Sequence, residues 1–166
     1  MKQQVLQEDF KQGMRRLAST VAVVTTGKNG QWSGMAATAV SSVSSDPPTL
    51  LVVVNRSSSL AAALAERDSF CVNLLSGRHE ELVDAFGGKL KGQDRFRIGN
   101  WEEAEEGPPE LADALASFMC RIANKFSVAT HDIYIGSVER VSFYDMIDPL
   151  VWLNGRMASV EKEQKP

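Results

Sequence analysis

Cysteine is scarce in this chain: two among 166 residues, Cys71 and Cys120. Two thiols cannot build a disulfide framework and cannot alone complete a four-ligand zinc site. Histidine is as rare, with only His79 and His131 and no His-x-x-x-His pair, so the usual metal-centre patterns are missing and no metal is expected. Charge of one sign is lacking too. The 18 Lys+Arg stand against 21 Asp+Glu, a formal −3, which offers no broad basic footprint for nucleic acid. The longest apolar run, Leu60 to Ala65, is six residues, far from the ~20 that a membrane helix needs. Met1 to Val5 lacks the apolar core of a secretory signal, so a cytoplasmic location with no membrane partner is expected. No Gly-x-Gly-x-x-Gly follows a strand, and neither a Gly-x-x-x-x-Gly-Lys-Ser/Thr loop nor a Gly-x-Ser-x-Gly elbow is present.

What is there reads as one domain over 1–160, followed by a frayed polar tail at 161–166. Phe10, Met14 and Leu17 fall on one helical face, with Asp9 as a candidate N-cap and Lys11, Arg15 and Arg16 turned outward. The β-branched run Thr20–Thr26 predicts a strand, and Gly27–Gly30 a hairpin turn. Met35–Ser44 is dominated by small residues and stops at the loop Asp46-Pro47-Pro48. The continuous apolar run Leu50–Val54 predicts a strand buried on both faces. A helix is expected over Ser57–Arg67, a strand over Phe70–Leu75, and a short helix over Glu80–Phe86 with Gly87-Gly88 as its C-cap. Gly99–Glu110, rich in glutamate and carrying Pro108-Pro109, predicts a surface excursion. Strands are then expected at 116–123, 130–141 and 150–153. Two or three short helices among six or seven strands predict a mainly β fold, an antiparallel barrel with helical decoration.

Three stretches have residue types suited to chemistry. In Gly34–Ser44 the small side chains let a planar ligand approach the backbone, and Thr38, Ser41 and Ser42 add hydroxyls; a strand packed under a helix would be equally small. Asn55-Arg56-Ser57-Ser58-Ser59 precedes a helix, where N–H groups favour an anion and Arg56 can clamp a phosphate; a Ser-capped helix is the plainer reading. His131 shares a strand face with Ile133 and Ile135, which fits a hydrogen-bonded core histidine as well as an acid–base residue.

In order and spacing these stretches resemble the flavin reductase-like proteins, the small reductase components of two-component flavin-dependent monooxygenases. The resemblance is carried by Phe10–Ala18, Thr20–Thr26, Gly34–Ser44 with Asp46-Pro47-Pro48, Val54–Ser58, Phe70–Ser76, Phe86-Gly87-Gly88, Arg95-Phe96, Thr130–Gly136 and Pro149–Gly155. It implies a split β-barrel, commonly a homodimer, that reduces FMN or FAD with NADH or NADPH and hands the reduced flavin to a separate monooxygenase. It places Met35, Ala36, Ala37, Thr38, Ala39, Val40, Ser41 and Ser42 along the flavin ring and ribityl chain. By the same resemblance, Asn55, Arg56, Ser57 and Ser59 hold the phosphate end, and Gly87, Gly88 and Lys89 close over the flavin. His131 stands near the nicotinamide as the catalytic residue, with Trp152, Leu153, Asn154, Gly155 and Arg156 lining the same pocket. Two departures are Ala36 in place of a frequent threonine and Ala129 in place of a frequent glycine.

Hydride transfer between two planar rings asks little acid–base machinery of the protein, which suits a site with no carboxylate pair. The rival expectations are a non-enzymatic flavin-binding or electron-transfer module on the same barrel, and an oligonucleotide-binding barrel. The second would need a basic face bearing aromatics.

Overall fold

The computed structural model describes residues 2–103 and 107–160; the tail at 161–166 and the glutamates at 105 and 106 lie outside the described residues. Helix α1 (Lys2–Met14) leads into the short β1 (Ser19–Thr20) and then β2 (Ala22–Lys28), β3 (Gln31–Ala37), β4 (Val40–Ser45) and β5 (Pro48–Asn55). Next come α2 (Ser59–Leu64), β6 (Ser69–Leu74) and α3 (Glu80–Asp84), which widens into a π-turn over Ala85–Lys89. The hairpin β7 (Trp101–Glu103) and β8 (Pro109–Leu111) precedes the two long strands β9 (Ala116–Val128) and β10 (His131–Phe143). The short β11 (Val151–Leu153) and β12 (Arg156–Ala158) complete the described chain. No helix among the described residues is long and apolar enough to cross a membrane.

The fold is mainly β, as expected, but the barrel is not closed. Seven antiparallel strands run β3-β2-β6-β9-β10-β5-β4, and no ladder joins the edge strands β3 and β4. The reason lies in β4: it is exposed from Ser41 to Ser45 and offers Val43 as its only large apolar side chain there. Closing the edge would bury almost no apolar surface. A separate three-stranded sheet joins β1, β11 and β12.

Local chemistry accounts for two of the element ends. The β2–β3 hairpin turns at Asn29-Gly30, both with positive φ (53° and 73°), the backbone that a two-residue primed turn demands. Ser58 caps α2 by accepting the Ala61 N–H at 3.1 Å. The helix is six residues, shorter than the expected Ser57–Arg67. At the other end of the chain α1 starts at Lys2, so Asp9 lies inside it and caps nothing. At the end of the expected surface excursion Gly99–Glu110 the described residues Pro108 and Pro109 are buried, as is Leu111 after them.

Strand β2 sits at the centre of the packing. Ala22 and Val24 face a core filled by Val52, Val54, Leu60, Leu64, Phe70 and Tyr134. Val23, with Val21 before the strand, faces a second core of Leu75, Leu82, Phe86, Leu111 and Leu150. The run Leu50–Val54, expected to be buried on both faces, alternates instead. Leu50, Val52 and Val54 are buried, while Leu51 and Val53 are half-exposed. Among the described residues no layer packs against the outer face of the sheet there. Gly136 is required by close approach: a Cβ there would meet Phe70 Cζ at 2.6 Å and Cys120 Cβ at 2.9 Å.

Beneath β2 the buried Asn73 on β6 links four strands. Its side-chain amide donates to the Val23 carbonyl at 3.1 Å and to Thr25 Oγ1 at 3.4 Å. Its Oδ1 accepts the Leu111 N–H and the Ser117 hydroxyl, each at 2.9 Å. Replacing it by leucine keeps bulk but strands a buried carbonyl and a buried N–H. Asn73→Leu is expected to lower unfolding free energy by about 2–4 kcal/mol, read from urea midpoints at constant m-value. A loss below about 1 kcal/mol would show that the network is dispensable.

Candidate functional site

The small-residue stretch divides at a turn. Met35, Ala36 and Ala37 end β3, Thr38 and Ala39 are exposed in the turn, and Val40, Ser41 and Ser42 start the edge strand β4. Thr38 borders three adjoining clefts. One of about 500 Å³ runs along Val40, Ser41 and Ser42 toward Leu74, Phe118 and Val138. One of about 240 Å³ lies between Ala36, Ala37, Val83 and Trp152. The third, about 370 Å³, lies under Phe10, Met14, Arg15 and Asn154 of the α1 side. Because β4 is a sheet edge, its outer row of N–H and C=O groups is paired with no other strand. Small side chains and unpaired backbone groups thus occur at one place.

A fourth cavity, about 460 Å³, lies behind Met35 and is bordered by Ser57, Ser59, Gly87, Gly88, Lys91 and Arg95. The Arg95 guanidinium is held in place, its Nη1 donating to the Gly34 carbonyl at 2.7 Å and Ser59 Oγ at 3.1 Å. Its Nε donates to the Leu90 carbonyl at 2.9 Å. Gly34 has no room for a side chain, since a Cβ would sit 2.7 Å from the Phe86 ring. That ring packs edge-on to Phe96, which in turn meets Trp32 and Trp101. Phe86 lines the cavity itself, and Phe96, Trp32 and Trp101 form the wall behind it. Gly88, expected as a helix cap, takes φ 122° inside the π-turn and stays open to the cavity.

Two cations do not sit as expected. Lys89 pairs with Asp84 on the surface, whereas Lys91, two residues on, borders the cavity. The Arg56 guanidinium donates to the Ala129 carbonyl, away from the Ser57–Ser59 cavity. Lys91 and Arg95, which border the cavity, are not among the residues the resemblance placed at the flavin. The available signal was the basic, glycine-flanked run Lys89–Gly92 followed by Arg95-Phe96.

His131 opens β10, directly opposite Asn55 on β5 and Val128 on β9. It is half-buried, on the outer face with Ile133 and Ile135, and not in the core. The core face of the same strand carries Asp132 and Tyr134. The turn before it holds Ala129 at φ 49°, a left-handed conformation that costs a residue with a side chain roughly 1–2 kcal/mol. Two hydrogen bonds from Arg56 meet this turn: the guanidinium to Ala129, and the backbone N–H to the Thr130 carbonyl at 3.0 Å. Each contributes about 1 kcal/mol, enough together to offset the strain. Thr130 Oγ1 then lies 2.9 Å from His131 Nδ1.

Asn154 and Gly155, with φ 53° and 75°, make the tight turn between β11 and β12, and Asn154 N–H donates to the Arg15 carbonyl at 2.9 Å. Leu153 and Arg156 flank that turn and are exposed, so of this segment Trp152 and Asn154 border the clefts. Cys71 and Cys120 are no nucleophiles, since burial raises both thiols, Cys120 to about 12. Ser76, His79 and Asp113 also meet, with Ser76 Oγ 3.1 Å from Nδ1 and Asp113 Oδ2 3.3 Å from Nε2. Ser76 is 2% exposed, so no substrate reaches its hydroxyl, and the trio anchors a turn.

The Asp132 carboxyl is held below the usual range, chiefly by the Ser127 hydroxyl at 2.6 Å, with the Lys125 ammonium at 3.2 Å and Arg56 adding to it. A depressed folded-state pKa supplies stability above the ordinary value near 3.8 and loses it as pH falls through the lower folded value. Asp132→Asn is therefore expected to flatten the fall in urea midpoint between about pH 5 and pH 2. An unchanged acid slope would exclude this carboxylate as its source.

Residues 14–161 match the family model described as flavin reductase like domain. The FMN reductase (NADH) RutF 1 of Methylorubrum extorquens is 42% identical over 153 residues, 92% of this chain and 76% of the relative. The crystal structure of the flavin reductase HpaC complexed with NADP+ superposes with a TM-score of 0.82 at 29% identity, covering 92% of this chain and 97% of HpaC. BorF, the flavin reductase component of a bacterial two-component tryptophan halogenase, superposes with a TM-score of 0.85 at 25% identity, covering 95% and 99%. With a fold, an ordered set of motifs and a domain match that agree over nearly its whole length, the chain belongs to the flavin reductase like family.

Proposed function

We propose that this flavin reductase moves a hydride from NADH to FMN and releases the reduced flavin to a separate flavin-dependent oxygenase. The observation that carries the reading is that the small-residue stretch Met35 to Ser42 borders the clefts around Thr38 and, through Met35, the cavity of Ser57, Ser59, Lys91 and Arg95. FMN and NADH come from the curated relative's name, FMN reductase (NADH). NADPH and FAD are the competing donor and acceptor, the first suggested by the NADP+ bound to HpaC. Transfer onward to an oxygenase follows the role in BorF's description, a component of a two-component system.

When bound, the flavin and nicotinamide supply the hydride acceptor and donor. The protein supplies place and field. Ala36 and Ala37 leave room for a planar ring against β3, and Thr38, Ser41 and Ser42 present hydroxyls and backbone N–H groups along it. Those dipoles would stabilise the negative charge that reduction adds to a flavin held there. Ser57, Ser59, Arg95 and Lys91 suit a phosphate, Arg95 having its orientation already set by Gly34. His131, beside the strained turn, would orient the nicotinamide by hydrogen bonding, and Trp152 flanks the Thr38 cleft.

The test is steady-state oxidation of NADH and of NADPH, each crossed with FMN, FAD and riboflavin. Flavin-dependent NADH oxidation is expected. A bound flavin that neither nucleotide reduces would favour the non-enzymatic module. Lys91→Ala is expected to raise KM for FMN about three- to tenfold and leave riboflavin unchanged, since only FMN has the phosphate. Equal losses for both flavins would remove the phosphate from this cavity.

The protein works as a homodimer in this reading, the split barrel being completed across the uncovered outer face. There Val53, Ile133 and Phe126 stand side by side across β5, β10 and β9, with Leu51 and Ile135 in the next row. Phe126 is 51% exposed, a large apolar ring in an apolar row with no cover among the described residues. Phe126→Asp is expected to shift sedimentation from dimer to monomer. A variant that still sediments as a dimer would place the interface elsewhere.

A further inference from the structure

We propose that Arg56 is a positioning residue for His131, fastening the strained β9–β10 turn to the β5–α2 loop, and not a ligand of the flavin phosphate. The proposal rests on the role given to His131 above. Its basis is where the side chain goes. The guanidinium reaches across to the Ala129 carbonyl, and the backbone N–H of the same residue donates to the next carbonyl, Thr130, at 3.0 Å. One residue therefore grips both central positions of the turn from the opposite loop. The phosphate-competent cations, Lys91 and Arg95, border a cavity that Arg56 does not.

The grip acts where the backbone needs it. Ala129 is held at φ 49°, a conformation that glycine adopts freely and alanine resists. Without its carbonyl fastened, that residue relaxes toward negative φ, and the rotation passes to Thr130 and to the histidine that follows. Thr130 Oγ1 lies 2.9 Å from His131 Nδ1, so the ring's hydrogen-bond partner moves with the turn. His131 also stands directly opposite Asn55, the neighbour of Arg56, so the same loop flanks the ring from the other strand. Asp132, next in the chain, is fixed from the inner face by Ser127 at 2.6 Å and Lys125 at 3.2 Å. The turn is thus braced below by Asp132 and across by Arg56, and His131 sits between the two.

The experiment is a mutant cycle in NADH oxidation, run with FMN and with riboflavin. Arg56→Ala is expected to lower kcat/KM for NADH roughly 10- to 100-fold, the scale of a misplaced group, and equally with both flavins. In the His131→Ala background the same replacement is expected to add nothing, because it acts through that histidine. Ala129→Gly, which removes the strain, is expected to recover most of the loss when combined with Arg56→Ala, each measured against Ala129→Gly alone. Arg56→Lys, which retains a donor without the planar fork, guards against a variant that fails to fold and is expected to fall between. Wild-type kinetics in Arg56→Ala, losses confined to FMN, or full additivity with His131→Ala would each overturn the positioning role. Wild-type kinetics in His131→Ala would instead overturn the role of the histidine itself, whatever Arg56 does.

Discussion

The buried amide of Asn73 is the point on which the rest of the molecule depends. Strand β2 is buried on both faces, so its backbone has no solvent to turn to and must be satisfied by the neighbours it packs against. Asn73 meets that demand from below, joining the Val23 carbonyl on β2 to the Leu111 N–H on β8 and Ser117 on β9. Thr25 adds a bond to the Pro109 carbonyl at 2.6 Å, which pins the β7–β8 hairpin to the same strand. A polar network inside an apolar core costs dearly if one member is unpaired, so it specifies one register where apolar packing alone tolerates several. With β2 in register, β3 follows through its Asn-Gly turn, and the small-residue edge is delivered to the clefts.

The site is built from what the packing leaves uncovered. Clefts form where β4 ends the sheet without closing it, and the cavity behind Met35 forms where Gly34 lets the Phe86 ring come within contact distance of the strand. Neither needs a charged catalytic group. A reaction whose reactivity resides in two nucleotides asks the protein for flatness, donors and exclusion of competing geometry. The neutral, cysteine-poor composition is consistent with that division of labour, and both thiols are buried beyond use.

Much of this was legible in the residues. The Asn-Gly hairpin, the strand-rich pattern and the small-residue run are local signals, and the ordered motifs matched one family. The alternation of Leu50–Val54 was not legible, because apolar residues occupy both faces and one of them is left without a covering layer among the described residues. The same applies to His131, whose isoleucine neighbours suggested a core face while Asp132 and Tyr134 hold that place. An acid can lie inside there because Ser127 and Lys125 on the adjacent strand pair with it. The directions of Arg56 and Lys89 were equally invisible, since their partners, the Ala129 carbonyl and Asp84, are set by chain geometry.

By itself the sequence determined the class of fold and the family, because those follow from periodicity, turn residues and motif order along one dimension. Tertiary structure alone decided that the sheet stays open at β4 and that Lys91 and Arg95 border the cavity beside Ser59. It also decided that Arg56 turns to the histidine's own loop. Such pairings join residues as far apart as Arg56 and Ala129, 73 positions along the chain, and depend on which side of a strand each side chain leaves. Strand register sets that side, and register is settled by burial across the whole sheet, which no local run of residues encodes.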